Sequence, residues 1–169
     1  MKVEEIKEEL LNIHIIRWEE MPNIELYIDQ VINLLDETLS NCVYEEKEGH
    51  VITKNMINNY VKHKVIPPAV NKKYNREHIA KLILVCILKS LYSITDISTM
   101  IDYIYKTDEM ENEYNMFCSE IEEAVKIVFG EKNYTTDENT MSERYALKRI
   151  VYSYANKLYI DKILLKKYN

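Results

Sequence analysis

Asn55, Asn58, Asn59 and Lys62 recur at three- and four-residue spacings, opposite Ile57, Tyr60 and Val61. On a helix of 3.6 residues per turn the first set shares one face and the second set the other. Three carboxamides and an ammonium along one face are groups that hydrogen-bond base edges and phosphates, and asparagine paired with adenine is a recurrent contact of that kind. Lys54 stands at the helix start, where backbone N–H groups without helical partners favour an anion. Cations then continue along the chain. From Thr53 to Leu91, Lys54, Lys62, Lys64, Lys72, Lys73, Arg76, Lys81 and Lys89 face Glu77 alone, a surplus of seven in a chain of net charge -6. The remainder therefore carries -13, of which -9 precedes Gly49 and -4 follows Leu91. Phosphate binding draws on counterion release from a local basic surface, so an acidic total does not exclude a nucleic acid. The same segregation also suits a solvated basic face neutralised by acidic helices. Charge alone leaves both readings open, and helix geometry has to separate them.

Other chemistry has less to stand on. His50, His63 and His78 flank the basic segment, but no cysteine or carboxylate joins them at a metal-ligand spacing. Of the carboxylate pairs at Glu4-Glu5, Glu8-Glu9, Glu19-Glu20 and Glu122-Glu123, most are expected on solvated helix faces, which makes them poor candidates for acid–base work. With only Gly49 and Gly130 in the chain there is no glycine-rich phosphate loop, and no serine or cysteine sits in a nucleophile elbow. Cys42, Cys86 and Cys118 are odd in number and far apart, which reads as reduced thiols. No enzyme activity, cofactor or metal is expected.

The elements that must position the stripe are helices. Two glycines and three prolines in 169 residues leave few of the tight hairpin turns that a sheet protein needs, so the class is all-α. Val3, Ile6, Leu10 and Ile13 predict a first helix over residues 2 to 16, and Tyr27 to Leu39 a second, with the joint at Pro22 and Asn23. Residues 41 to 52 show no apolar period and read as an exposed loop. Thr53 caps the stripe helix, which runs to about His63, and Pro67-Pro68 forbids its continuation. Asn75 caps a helix apolar around much of its circumference, the expected centre of the core, and Ser93 with Asp96 opens the next. A helix from Met110 ends at Gly130, and a last one extends from about Ser142 to Lys167. Its stripe of Leu147, Val151, Tyr154 and Leu158 suits a partner helix in a dimer or internal packing. Nine of the fourteen tyrosines follow residue 100 and could line an effector pocket or a dimer seam, although core packing accounts for them as well.

The longest uncharged apolar run, Leu82 to Leu88, is far short of the ~20 residues of a membrane span, and the acidic start lacks the pattern of a secretory signal. A cytoplasmic protein is expected.

Thr53-Lys54-Asn55-Met56-Ile57-Asn58-Asn59-Tyr60, Val65-Ile66-Pro67-Pro68, Tyr74 and Ser93-Ile94-Thr95-Asp96-Ile97 resemble, in order and approximate spacing, landmarks of MerR-type winged-helix regulators. That resemblance implies a helix in the major groove, a minimal wing formed by the loop before Tyr74, and a supporting helix from Ser93. Trp18, Pro22, Leu26 to Val31, Thr53, Met56 to Lys62, Lys73-Tyr74 and His78 look like the bacterial domain of unknown function 1836 family over roughly residues 15 to 105. The chain departs from the MerR pattern in its long 41–52 segment and in Asn58, which stands where that pattern has arginine. The expectation is therefore a winged helix-turn-helix domain over residues 1–105 and a carboxy-terminal helical pair over 106–169. The first would bind double-stranded DNA through Lys54, Asn55, Asn58, Asn59, Lys62, Lys64, Lys72, Lys73, Tyr74 and Arg76, as a transcriptional regulator acting by operator occupancy. The second would serve packing, homodimerisation or an effector. The alternative is a helical protein-interaction module that keeps the shape and uses the basic face for an acidic partner.

Overall fold

The computed structural model describes residues 3–43, 49–105, 109–130, 133 and 143–165, and these are mainly helical. The elements in order are α1 (Val3–Leu11), a 3-10 turn (Trp18–Glu20), β1 (Leu26–Tyr27), α2 (Ile28–Leu39), α3 (Lys54–Lys62) and β2 (Lys73–Tyr74). Then follow α4 (Arg76–Leu88), α5 (Ile94–Ile104), α6 (Met110–Val128), α7 (Glu143–Tyr159) and a wider π turn (Ile160–Leu164). No helix among the described residues is long and apolar enough to cross a membrane.

The chain divides into two compact units, residues 15–115 and residues 1–14 with 116–169. The sequence suggests a single boundary near residue 105; the division instead falls after His14 and after Asn115, so the first helix is grouped with the last ones.

In the unit 15–115, α4 is the centre: every residue from Leu82 to Leu88 is fully buried. Asn75 caps it by accepting from the His78 N–H at 3.2 Å. Thr53 caps α3 through the Met56 N–H at 3.3 Å, and Ser93 caps α5 through the Asp96 N–H at 3.2 Å. All three caps are legible in the sequence because a short oxygen-bearing side chain precedes each apolar period. The entry segment is held by Trp18, which meets Tyr114 edge-on at 6.4 Å between ring centroids. The Trp18 N–H donates to Asn115 Oδ1 at 2.9 Å, and the Tyr114 hydroxyl donates to the Ile16 carbonyl at 2.7 Å.

A short antiparallel ladder, unexpected in an all-helical reading, joins Leu26 to Tyr74 and Tyr27 to Lys73. Val70 and Lys73 extend it into a hairpin by exchanging N–H···O bonds at 3.1 and 2.9 Å across Asn71 and Lys72. Both turn residues have positive φ, 52° and 63°, which is the geometry of a two-residue type I′ turn. The ladder is so short that it leaves no alternating pattern in the sequence.

Three other expectations need correction. The first helix stops at Leu11, not near residue 16; beyond it Ile13 and Ile15 are buried on either side of exposed His14, the alternation of an extended chain. The 41–52 segment is not exposed throughout: Cys42, Val43, Val51 and Ile52 are buried, with relative exposures of 2, 6, 1 and 0%. Isolated buried pairs carry no period, which is why they read as loop. The last helix turns into the π segment at Ile160, and the expected ends at Ser142 and Lys167 lie outside the described residues.

In the second unit, Ile6, Leu10, Phe117, Ile121, Val125, Leu147, Val151, Tyr154 and Leu158 are buried. The α7 stripe marked for a partner helix is thus buried in the chain itself. Asp161, 6% exposed, is held by Lys157 one turn earlier, and Phe129 meets Tyr159 edge-on at 5.2 Å.

Candidate nucleic-acid interface

The stripe helix is oriented as its spacing requires. Ile57 and Tyr60 of α3 are buried at 0 and 7% exposure, whereas Lys54, Asn55, Asn58, Asn59 and Lys62 are all exposed. Burial of the apolar face fixes the rotation of the helix, so the amides cannot turn inwards without uncovering Ile57. α3 packs on α2 and is entered through a clasped segment. Asp36 of α2 accepts the Val51 N–H on Oδ1 at 2.8 Å and meets His50 Nδ1 on Oδ2 at 2.5 Å. From the other side Lys89, just past α4, donates to the Val51 carbonyl at 2.6 Å. Both polar groups of the Val51 backbone are therefore satisfied by side chains, as burial of that backbone demands.

The exit of α3 is equally defined. The Lys64 N–H donates to the Val61 carbonyl at 3.0 Å and the Val65 N–H to the Tyr60 carbonyl at 2.9 Å. That bond pair is a Schellman ending, with Lys64 at φ 59° in the position glycine usually takes. Val65 and Ile66 then plunge into the core at 3 and 1% exposure.

The structure sorts the basic residues by what they already touch. Arg76 is half-buried, its guanidinium donating to the Met21 carbonyl at 2.9 Å and the Pro22 carbonyl at 3.3 Å, so it secures the turn before β1. Tyr74 is 5% exposed and packs its ring edge-on to His78 at 5.3 Å; burial raises its phenol above the usual pKa. Of the ten sequence-marked residues, Tyr74 is thus buried in the core and Arg76 is engaged by backbone carbonyls. Lys81 pairs with Glu77 at 2.8 Å. Lys54 pairs with Asp29 of α2 at 2.7 Å, and the Lys73 ammonium lies 5.5 Å from the centre of the Tyr27 ring. Lys62, Lys64 and Lys72 are exposed and hold no partner among the described residues.

The histidines divide similarly. His78 is buried, with its Nδ1 2.6 Å from Asn75 Oδ1 and 3.2 Å from the Asn75 backbone nitrogen, and its Nε2 3.3 Å from the Pro68 carbonyl. His63 is exposed at the α3 cap. Among the described residues no three His, Cys, Asp or Glu side chains form a group that could hold a metal.

Sequence reasoning missed Asp29, Asp36 and His50 as determinants of this face, because each acts across a separation without periodicity. It also missed an apolar component: Ile24, Tyr27 and Val70 are 70, 54 and 60% exposed, the last two beside and within the hairpin. A cleft of about 360 Å³ opens between α2 and the start of α3, lined by Asp29, Ile32, Asn33, His50, Thr53, Lys54 and Asn55.

No curated protein and no solved structure matches the chain. A family model described as a domain of unknown function, DUF1836, matches residues 16–124, well over half of the sequence, and the chain belongs to that family.

Proposed function

We propose that residues 15–115 form a duplex-DNA-binding module of the winged helix-turn-helix, MerR-like type, which regulates transcription by occupying an operator. α2 and α3 serve as the helix pair, α3 enters the major groove, and the hairpin around Asn71-Lys72 is the minimal wing. Asn55, Asn58 and Asn59 read base edges, while Lys62, Lys64 and Lys72, together with Lys54 and Lys73, hold phosphates. The carrying observation is the exposed amide and ammonium face of α3, locked outward by Ile57 and Tyr60. Lysine at two of the three non-glycine positive-φ positions among the described residues adds support. A left-handed conformation costs a side-chain-bearing residue on the order of 1 kcal/mol, so cations there point to a use for the charge.

Binding of labelled duplex across a salt series tests the proposal. Three to five phosphate contacts give a log–log slope of roughly -3 to -4.5, and absence of binding at low salt refutes it. A dimer on paired half-sites in the cytoplasm is the form proposed for the intact regulator, and its half-site spacing is read from selected duplexes. A second reading, a module for an acidic protein partner, draws on the exposed Ile24, Tyr27 and Val70, which give the basic face an apolar flank. Capture of a partner that survives nuclease treatment favours it.

A further inference from the structure

Asp29 is an acidic side chain in direct contact with the stripe helix. Its carboxylate meets the Lys54 ammonium at 2.7 Å, with the two side chains 70 and 52% exposed. Asp29 lies in the first turn of α2 and Lys54 is the first residue of α3, so the pair links the two helices within the lining of the cleft between them. The rest of that lining is uncharged apart from His50, which is turned to Asp36.

We propose that Asp29 is an internal stand-in for phosphate: it occupies Lys54 in the free protein and sets the duplex affinity below what the cations alone would give. The inference rests on the duplex-binding reading above. An ion pair this exposed holds weakly, because water screens both charges and both side chains lose rotamer freedom to form it. A backbone phosphate with the same charge can therefore displace the carboxylate from Lys54. Asp29 nevertheless remains beside the incoming phosphate and repels it, so the exchange returns less than an unencumbered lysine would. The device lowers affinity for every duplex alike, since phosphates carry no sequence information, and leaves discrimination to the α3 amides.

The test is a two-by-two comparison of the full chain: wild type, Asp29→Asn, Lys54→Ala and the double variant, titrated with a fluorescein-labelled mixed-sequence duplex. At about 50 mM salt, Asp29→Asn is expected to bind roughly three- to tenfold tighter, with a log–log salt slope steeper by about 0.9, one phosphate contact. Between about 50 and 200 mM salt the advantage narrows roughly threefold, as that slope requires. In the Lys54→Ala background the gain falls to about twofold or less, the coupling that marks a shared interaction. Asp29→Ser, whose side chain also suits the first turn of a helix, is measured alongside so that local unfolding from one replacement does not decide the result. Unchanged affinity and slope in both Asp29 variants, or a gain undiminished without Lys54, overturns the inference while leaving duplex binding intact. Failure of the wild type to bind any duplex at low salt overturns the underlying reading and this inference together.

Discussion

Replacing Asp36 with alanine should loosen the entry to α3, and the cost can be worked from two bonds. Val51 is 1% exposed, and its N–H has the Asp36 carboxylate as acceptor at 2.8 Å. A buried donor left without an acceptor costs about 1–3 kcal/mol. The contact with His50 adds little, roughly 0.5 kcal/mol, because the His50 and Asp36 side chains are 42 and 23% exposed and water screens them. The sum is roughly 1.5–3.5 kcal/mol, which at a urea m value of about 2 kcal/mol per molar moves the unfolding midpoint down by about 1–2 M. Asp36→Asn separates the causes. Its amide oxygen still accepts from Val51 while the amide nitrogen faces His50, so the loss should stay under about 1 kcal/mol. The assay is equilibrium urea unfolding of all three proteins, followed by duplex titration under native conditions. A midpoint shift below about 0.3 M for Asp36→Ala, or equal damage from asparagine and alanine, refutes the clasp. Duplex affinity of the alanine variant should fall with an unchanged salt slope, since no phosphate contact is removed.

Lys64→Gly should raise stability by about 0.5–1 kcal/mol, because glycine adopts the left-handed ending without strain, and yet weaken duplex binding; a gain in both would remove the functional reason for the lysine. Arg76→Ala should cost about 1–3 kcal/mol in urea unfolding and leave the salt slope unaltered, whereas Lys62→Ala should leave stability within about 0.5 kcal/mol and flatten the slope by about 0.9. Alkaline unfolding tests Tyr74. Burial raises its pKa in the folded state, so its contribution is complete below the unfolded phenol pKa and is lost as pH rises through the folded value. Tyr74→Phe should therefore lose less stability than wild type between neutral pH and the region above about pH 10, and parallel pH profiles would contradict the assignment.

Helix positions were legible wherever a cap preceded an apolar period, as at Thr53, Asn75 and Ser93, because local hydrogen bonds and burial then point the same way. The outward face of α3 was legible for the same reason: Ile57 and Tyr60 leave Asn55, Asn58, Asn59 and Lys62 one side to occupy. What escaped depends on pairing across long separations. The ladder of Leu26 and Tyr27 with Tyr74 and Lys73 is too short to leave a pattern. Arg76 resembles any phosphate-holding arginine until the carbonyls of Met21 and Pro22 are seen to occupy it. Tyr74 is drawn inward by His78 and the ladder, although its neighbour Lys73 stays at the surface region. In α1 the three-four spacing extends to Ile13, but the helix ends at Leu11 and Ile13 and Ile15 are both buried beyond it, so tertiary packing overrides the helical period.

The complete burial of α4 carries a hazard once the fold opens. Leu82-Ile83-Leu84-Val85-Cys86-Ile87-Leu88 is a seven-residue window without charge, proline or glycine, rich in residues that also form strands. In the native state it is sealed, at 0% exposure throughout. Heated or half-folded chains present it to one another, with Lys81 and Lys89 as the only charges at its borders. The protein's survival then depends on how quickly it recloses relative to how often it collides, so concentration, not temperature alone, governs how much is recovered after a thermal excursion.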